Sequence, residues 1–128
     1  VRLLLDTHIL IWALIEPERL TEVVRGDLES RENEVLFSAA SIWEMAIKAA
    51  LGRANFQVSP DRLLDEALAI GFAELPVTSR AAARVSVLPH HHRDPFDRLL
   101  VAQAMVEPAL LYTADPVLPA YSDLVVRV

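Results

Sequence analysis

Three consecutive leucines, Leu3 to Leu5, run straight into an aspartate, and a helix-like segment begins at once. A half-buried strand alternates apolar and polar side chains; "RLLLD" does not, so both faces of this strand must be covered. Such coverage is the mark of a parallel sheet with helices on both sides. It also makes Asp6 conspicuous, because a carboxylate ending a doubly buried strand is costly unless something there uses it.

The rest of the chain repeats the pattern. "THILIWALIEP" predicts a helix with Thr7 as a possible N-cap and Pro17 as a stop, and Glu22 to Glu32 predicts a more polar surface helix. "EVLFS" is a second strand, and "AASIWEMAIKAALG" a helix with Ile42, Met45, Ala46 and Ala49 in one stripe and Gly52 at its end. Glu44 and Lys48 are four apart on it, in the order that favours an ion pair. "SPDRLLDEALAIG" carries a serine cap, a proline at the first helical position and a terminal glycine, predicting a helix from Pro60 to Ile70. "FAEL" is a brief strand, "TSRAAARVSVL" a short helix capped by Thr78 or Ser79, and Pro89 to Arg93 a loop with three histidines. Asp94 caps a helix that opens with Pro95 and runs to about Val106; "ALLYT" and "DLVVRV" are strands joined by the turn-like "ADPVLPAY".

Strands and helices taking turns predict an α/β fold: a three-layer α/β/α sandwich with a mainly parallel sheet of four or five strands. At 128 residues, with no internal period and no low-complexity linker, residues 1–128 are expected to form a single domain. The longest apolar run, Ile9 to Ile15, is too short to cross a bilayer, and the opening residues are unlike a signal peptide. With no cysteine there is no disulfide framework, thiolate nucleophile or sulfur-ligated metal, and a cytoplasmic location fits best.

Open parallel sheets form their sites beyond the carboxyl ends of the strands. Asp6 ends the first strand, Glu44 and Asp97 lie in early turns of helices near that edge, and Asp115 follows the strand "LLYT". All four map to one rim, although spacing alone does not fix the strand order that would bring them together. Two carboxylates about 4 Å apart repel by roughly 4 kcal/mol at an effective dielectric of about 20. A helix N-terminus offsets only about 0.3–1 kcal/mol of this. A divalent cation would resolve the conflict, and an all-oxygen set favours Mg2+ or Mn2+. Each acid taken singly is better explained as a helix cap or dipole partner than as catalytic; their coincidence carries the reading.

Asp94 is assigned to the helix cap. Thr7, Ser41 and Thr113 are small hydroxyls that either support a ligating carboxylate or bond to local backbone. Lys48, Arg53, Arg93 and Arg98 are nearest the rim and are candidates for phosphate contacts, with Arg98 alternatively a surface ion-pair residue. His90, His91 and His92 are read as loop residues, since three consecutive side chains do not readily converge on one ion; His8 is a helix residue near the rim. Trp12 and Trp43 are assigned to core packing or a partner interface rather than base stacking. The net charge of −6, from 12 basic and 18 acidic residues, argues against a protein that wraps bare nucleic acid.

"LLLDTHILIWAL", "SAASIWEMAIK", "HHRDPFDRLLVAQA" and "LLYTADPVLPAY" together resemble a PIN domain of the VapC type, the toxin ribonuclease of a toxin–antitoxin pair. The resemblance runs through nearly the whole chain in order. It implies that Asp6, Glu44, Asp97 and Asp115 are catalytic metal ligands, with Thr113 as companion to the last, the least uniform position of the set. It further implies Mg2+-dependent endonucleolytic cleavage of RNA, in which a metal-activated water leaves 5′-phosphate and 3′-hydroxyl ends. The partners it implies are a second copy of the chain, an RNA substrate and a VapB-type antitoxin that fills the acidic groove; operator DNA would be bound only through the antitoxin. Two rival readings remain: an acidic interaction domain without catalysis, and a DNA-directed nuclease of related fold.

Overall fold

The computed structural model describes residues 1–52 and 59–128. The elements are β1 (Arg2–Leu5), α1 (Thr7–Ile15), α2 (Glu22–Glu29), β2 (Glu34–Ser38), α3 (Ala39–Ala50), α4 (Pro60–Ala69), β3 (Ala73–Leu75), α5 (Ser79–Arg84), α6 (Pro95–Val106), β4 (Leu110–Thr113) and β5 (Val125–Arg127). Short 3-10 turns follow α1 and α5 and precede β5. Among the described residues the strands form one sheet in the order β3-β2-β1-β4-β5, and every neighbouring pair is parallel.

β1 is the central strand, and its leucines divide between the two faces. Leu3 and Leu5 join Val35, Phe37 and Tyr112 under α1 to α4, with Ile9, Leu10, Val24, Met45, Leu63 and Ala67. Leu4 joins Leu36 and Leu111 on the opposite face, under α5 and α6, with Leu100, Val101 and Ala104. The missing alternation in "RLLLD" thus reports two cores sharing one strand. Each fully buried leucine contributes about 1.5–3 kcal/mol. The predicted sandwich is found, and its sheet has five strands.

From β1 the chain steps outward to β2 and β3, then returns across β1 to build β4 and β5 on the other side. With right-handed crossovers, this reversal changes the face on which the connecting helices pack. It also opens a crevice beyond the carboxyl ends of β1 and β4.

Three local expectations are corrected. Thr7 is not the cap of α1: Asp6 is, its Oδ1 accepting from the Ile9 backbone N–H at 2.8 Å. Helix α2 stops at Glu29, not Glu32, because Ser30 is extended and the Asn33 side-chain amide donates to the Asp27 carbonyl, ending the helical hydrogen bonding. The buried face of α3 is Ala40, Ser41, Glu44 and Met45, while Ala46 and Ala49 are exposed. The helix is rotated by one residue, about 100°, from its apolar stripe. It turns a glutamate and a serine inward, where the hydroxyl at the start of α1 receives them. Gly52 (φ 68°) ends α3 and Gly71 (φ 96°) follows α4 in the left-handed region that glycine tolerates.

Candidate active site

The parallel register sets Leu5 beside both Phe37 and Tyr112, so the next residues, Asp6 and Thr113, stand abreast at the sheet edge. The Asp6 N–H continues the ladder to the Tyr112 carbonyl at 3.0 Å. Across this junction the Thr113 hydroxyl donates to Asp6 Oδ2 at 2.5 Å. The other Asp6 oxygen caps α1, so one buried carboxylate both starts a helix and faces the crevice.

Around Asp6 the remaining groups arrive from separate segments. The Thr7 hydroxyl donates to Glu44 Oε1 at 2.8 Å and lies 3.0 Å from the Ser41 hydroxyl, tying the start of α1 to α3. Glu44 is buried, and its Oε2 accepts from Lys48 Nζ at 2.6 Å. The Thr113 hydroxyl accepts from the Asp115 N–H at 3.0 Å, and Asp115 Oδ1 accepts from the Val117 N–H. Asp94 caps α6 through Oδ1, which accepts from the Phe96 and Asp97 N–H groups at 2.8 and 3.3 Å. Asp97, in the first turn of that helix, turns its carboxylate toward His92 Nε2 at 3.6 Å. Of the three hydroxyls singled out in the sequence, those of Thr7 and Thr113 bond to site carboxylates, and that of Ser41 bonds to the Thr7 hydroxyl.

Electrostatics couple acids that no hydrogen bond joins. Burial, then the charges of Asp94 and Asp6, push Asp97 up to about 7, against a lowering by His92 and with a smaller push from Glu44. Burial likewise raises Asp6, with Glu44 adding to the effect, although the Thr113 and Ile9 hydrogen bonds and His8 oppose it. Asp97 thus feels Asp6 and Glu44, residues 91 and 53 positions earlier in the chain.

His92 is the residue that sequence reasoning missed. His90 and His91 are exposed, His91 stacking edge-on against Tyr121, so the three histidines do not converge. His92 alone turns inward: its Nε2 is 2.9 Å from Asp115 Oδ2, and His92, Asp97 and Asp115 each offer an atom within 4.8 Å of the others. Such a cluster could hold a divalent cation. No local sequence signal separates it from its two neighbours.

Arg98 is a correction. Instead of facing a phosphate or the surface, its buried guanidinium donates to the carbonyls of Pro89, Val85 and Leu88 at 2.8, 3.1 and 3.4 Å, and to the Tyr121 hydroxyl at 3.1 Å. The loop before α6 folds over it, and its five donors suit so many acceptors. Lys48 is held by Glu44, Arg93 is exposed, and Arg53 lies outside the described residues. Trp43 is not core: it is 61% exposed, its ring edge-on to Phe96 at 5.2 Å. Trp12 is partly buried against the larger core, with Arg19 over its ring.

The donors fit a hard divalent cation. They are mostly carboxylate oxygens, and burial together with their mutual repulsion already pushes Asp97 up to about 7. A parallel α/β sandwich that collects acids from both sides of the reversal at its switch point defines a candidate divalent-cation site on a known fold class. The PIN domain family matches residues 3–124, and the chain belongs to that family.

Solved structures agree on the fold. VapBC2 from Rickettsia felis, bound to a DNA fragment from its promoter, aligns with TM-score 0.73 at 15% identity, over 98% of this chain and 96% of that one. FitAcB from Neisseria gonorrhoeae aligns with TM-score 0.62 at 22% identity, over the same shares of each chain. No curated protein sequence matches the chain. Among the described residues, no helix is long and apolar enough to cross a membrane.

Proposed function

We propose that the protein is a metal-dependent endoribonuclease, the toxin of a toxin–antitoxin pair, with Asp6, Glu44, Asp97 and Asp115 as the cation-holding carboxylates. The observation that carries this reading is the electrostatic and hydrogen-bonded convergence of acids from β1, α3, α6 and the β4 exit at the switch point. Asp6 and Asp97, both raised by burial and by neighbouring carboxylates, make a poor resting arrangement for a purely structural surface, and a good receptacle for Mg2+ or Mn2+. Such an ion, when bound, acidifies water and neutralises charge on a phosphodiester.

The chain's own residues supply the framework. Thr113 and the Ile9 N–H fix both Asp6 oxygens, Thr7 and Lys48 fix Glu44, and the Val117 N–H fixes Asp115. Among the described residues Asp97 is the acid least tied down, with His92 as its side-chain neighbour. It is therefore the group best able to exchange a proton for a cation. Arg93 is exposed in the same loop, which supports it as the candidate for contacting a substrate phosphate.

The solved relatives are named as complexes, one of them on promoter DNA, which supports a VapB-type antitoxin as partner and operator DNA bound through it. A homodimer belongs to the same reading. The test is incubation of the purified chain with pooled transfer, ribosomal and messenger RNA, with matched DNA as control, followed by end mapping. Cleavage that needs Mg2+ or Mn2+, leaves 5′-phosphates and disappears with EDTA and in Asp6→Asn is expected. Equal cleavage by wild type and Asp6→Asn would sink the proposal. Metal-induced stabilisation without cleavage would favour the acidic interaction domain, and preference for DNA the related nuclease.

A further inference from the structure

His92 invites assignment as a nitrogen ligand, because its Nε2 lies among carboxylate oxygens. Its other nitrogen argues otherwise. Nδ1 accepts a hydrogen bond from the Asp94 backbone N–H at 2.9 Å. A ring nitrogen that accepts from an N–H carries no proton, so the neutral ring holds its single proton on Nε2. That proton points at Asp115 Oδ2, 2.9 Å away. A protonated nitrogen has no lone pair in the ring plane to give a metal.

We infer that His92 is a positioning residue, an Nε2–H donor that orients the Asp115 carboxylate at the cation site and does not itself ligate the cation. The inference rests on the metal-dependent reading above and adds a role that the acidic residues do not reveal.

The surroundings are built to keep the ring in this state. The His92 backbone N–H donates to the Tyr121 hydroxyl at 2.8 Å, and the buried Arg98 donates to that same hydroxyl. Arg98 also holds the Val85, Leu88 and Pro89 carbonyls of the preceding segment, so the backbone carrying His92 is anchored at both sides. On the ring side, Asp94 serves twice. Its carboxylate caps α6, and its N–H, fixed by that cap geometry, selects the imidazole tautomer. Releasing Nε2 for a metal would require breaking the Asp94 contact and moving the proton to Nδ1, which faces a backbone donor. Carboxylates that hold metals are commonly oriented by a second layer of hydrogen bonds, whose loss lowers metal affinity about 10–100-fold.

Three measurements decide it, and none uses RNA cleavage. In the metal-free protein, 15N–1H correlation of the histidine rings should show His92 protonated at Nε2 and bare at Nδ1; the opposite tautomer would overturn the inference. In the Mn2+-loaded protein, pulsed EPR should show no directly coordinated 14N in the wild type; a ligand-strength nitrogen coupling that vanishes in His92→Gln would also overturn it. For Mn2+ affinity by calorimetry, His92→Ala should lose about 10–100-fold, whereas His92→Gln, whose amide N–H can replace Nε2–H, should stay within about threefold of wild type. Equal losses in Ala and Gln, or no loss in Ala, would refute the positioning role. A wild type that binds Mn2+ and fails to cut RNA would defeat the nuclease reading while leaving these results to stand. A wild type that binds no Mn2+ would defeat both the cation site and the role assigned here.

Discussion

Replacing Asp97 with asparagine should make the metal-free protein more stable while abolishing its proposed activity. The acid is pushed up to about 7, chiefly by burial and then by neighbouring carboxylates, against an unfolded value of about 3.9. Between those values the folded protein keeps a proton that the unfolded chain has released, so stability falls as pH rises from about 4 to 7 and then levels off. At about 1.36 kcal/mol per pH unit, the gap between the folded and unfolded values sets a ceiling of roughly 4 kcal/mol. Because the side chain is 21% exposed, solvent screening reduces this to about 2 kcal/mol. The substituted amide carries no charge, has nearly the same shape and sacrifices no short hydrogen bond. At about 4 °C per kcal/mol, the variant should melt roughly 8 °C above wild type at pH 8 in EDTA and show little difference at pH 4. Saturating Mg2+ should reverse the order, since binding at about 100 times Kd stabilises wild type by about 2.7 kcal/mol. Thermal unfolding of both proteins at pH 4, 6 and 8, with EDTA or Mg2+, provides the check. An Asp97→Asn protein with the same pH slope as wild type, or less stable at pH 8, would refute the argument that repelling acids await a cation.

Thr113→Val should destabilise by about 1–3 kcal/mol, because the buried Asp6 oxygen and the Asp115 N–H both lose their partner; urea denaturation measures it. Asp94→Ala should cost about 1 kcal/mol through the lost cap of α6, read by the same denaturation. Arg98→Met should cost about 2–3 kcal/mol and increase amide exchange at His92, with Arg98→Lys a poor rescue because an ammonium cannot span the same acceptors.

The parallel sandwich was legible in "RLLLD" and in the regular succession of caps, prolines and glycines, because these signals are local: burial on both faces removes alternation, and a cap satisfies donors within three residues. Asp94 could be named as a cap for that reason, and Asp6 as costly without a use. Two readings failed where a local rule met a non-local partner. Alanines marked the wrong stripe of α3, since the hydrogen bond from Thr7 to Glu44 favours a rotated helix. Arg98 looked like a surface cation next to an acid, yet a loop from earlier in the chain closes over it.

The set of elements, and the stock of acids at their ends, therefore follows from the order of residues alone. Tertiary structure decided which acids meet, because strand order β3-β2-β1-β4-β5 puts the reversal beside Asp6 and brings Thr113 and Asp115 to it from more than 100 positions away. It also chose one histidine of three and the nitrogen on which its proton sits. Hydrophobic periodicity and capping act over a few residues, whereas charge repulsion, burial and tautomer depend on whatever the fold carries into the same few ångströms.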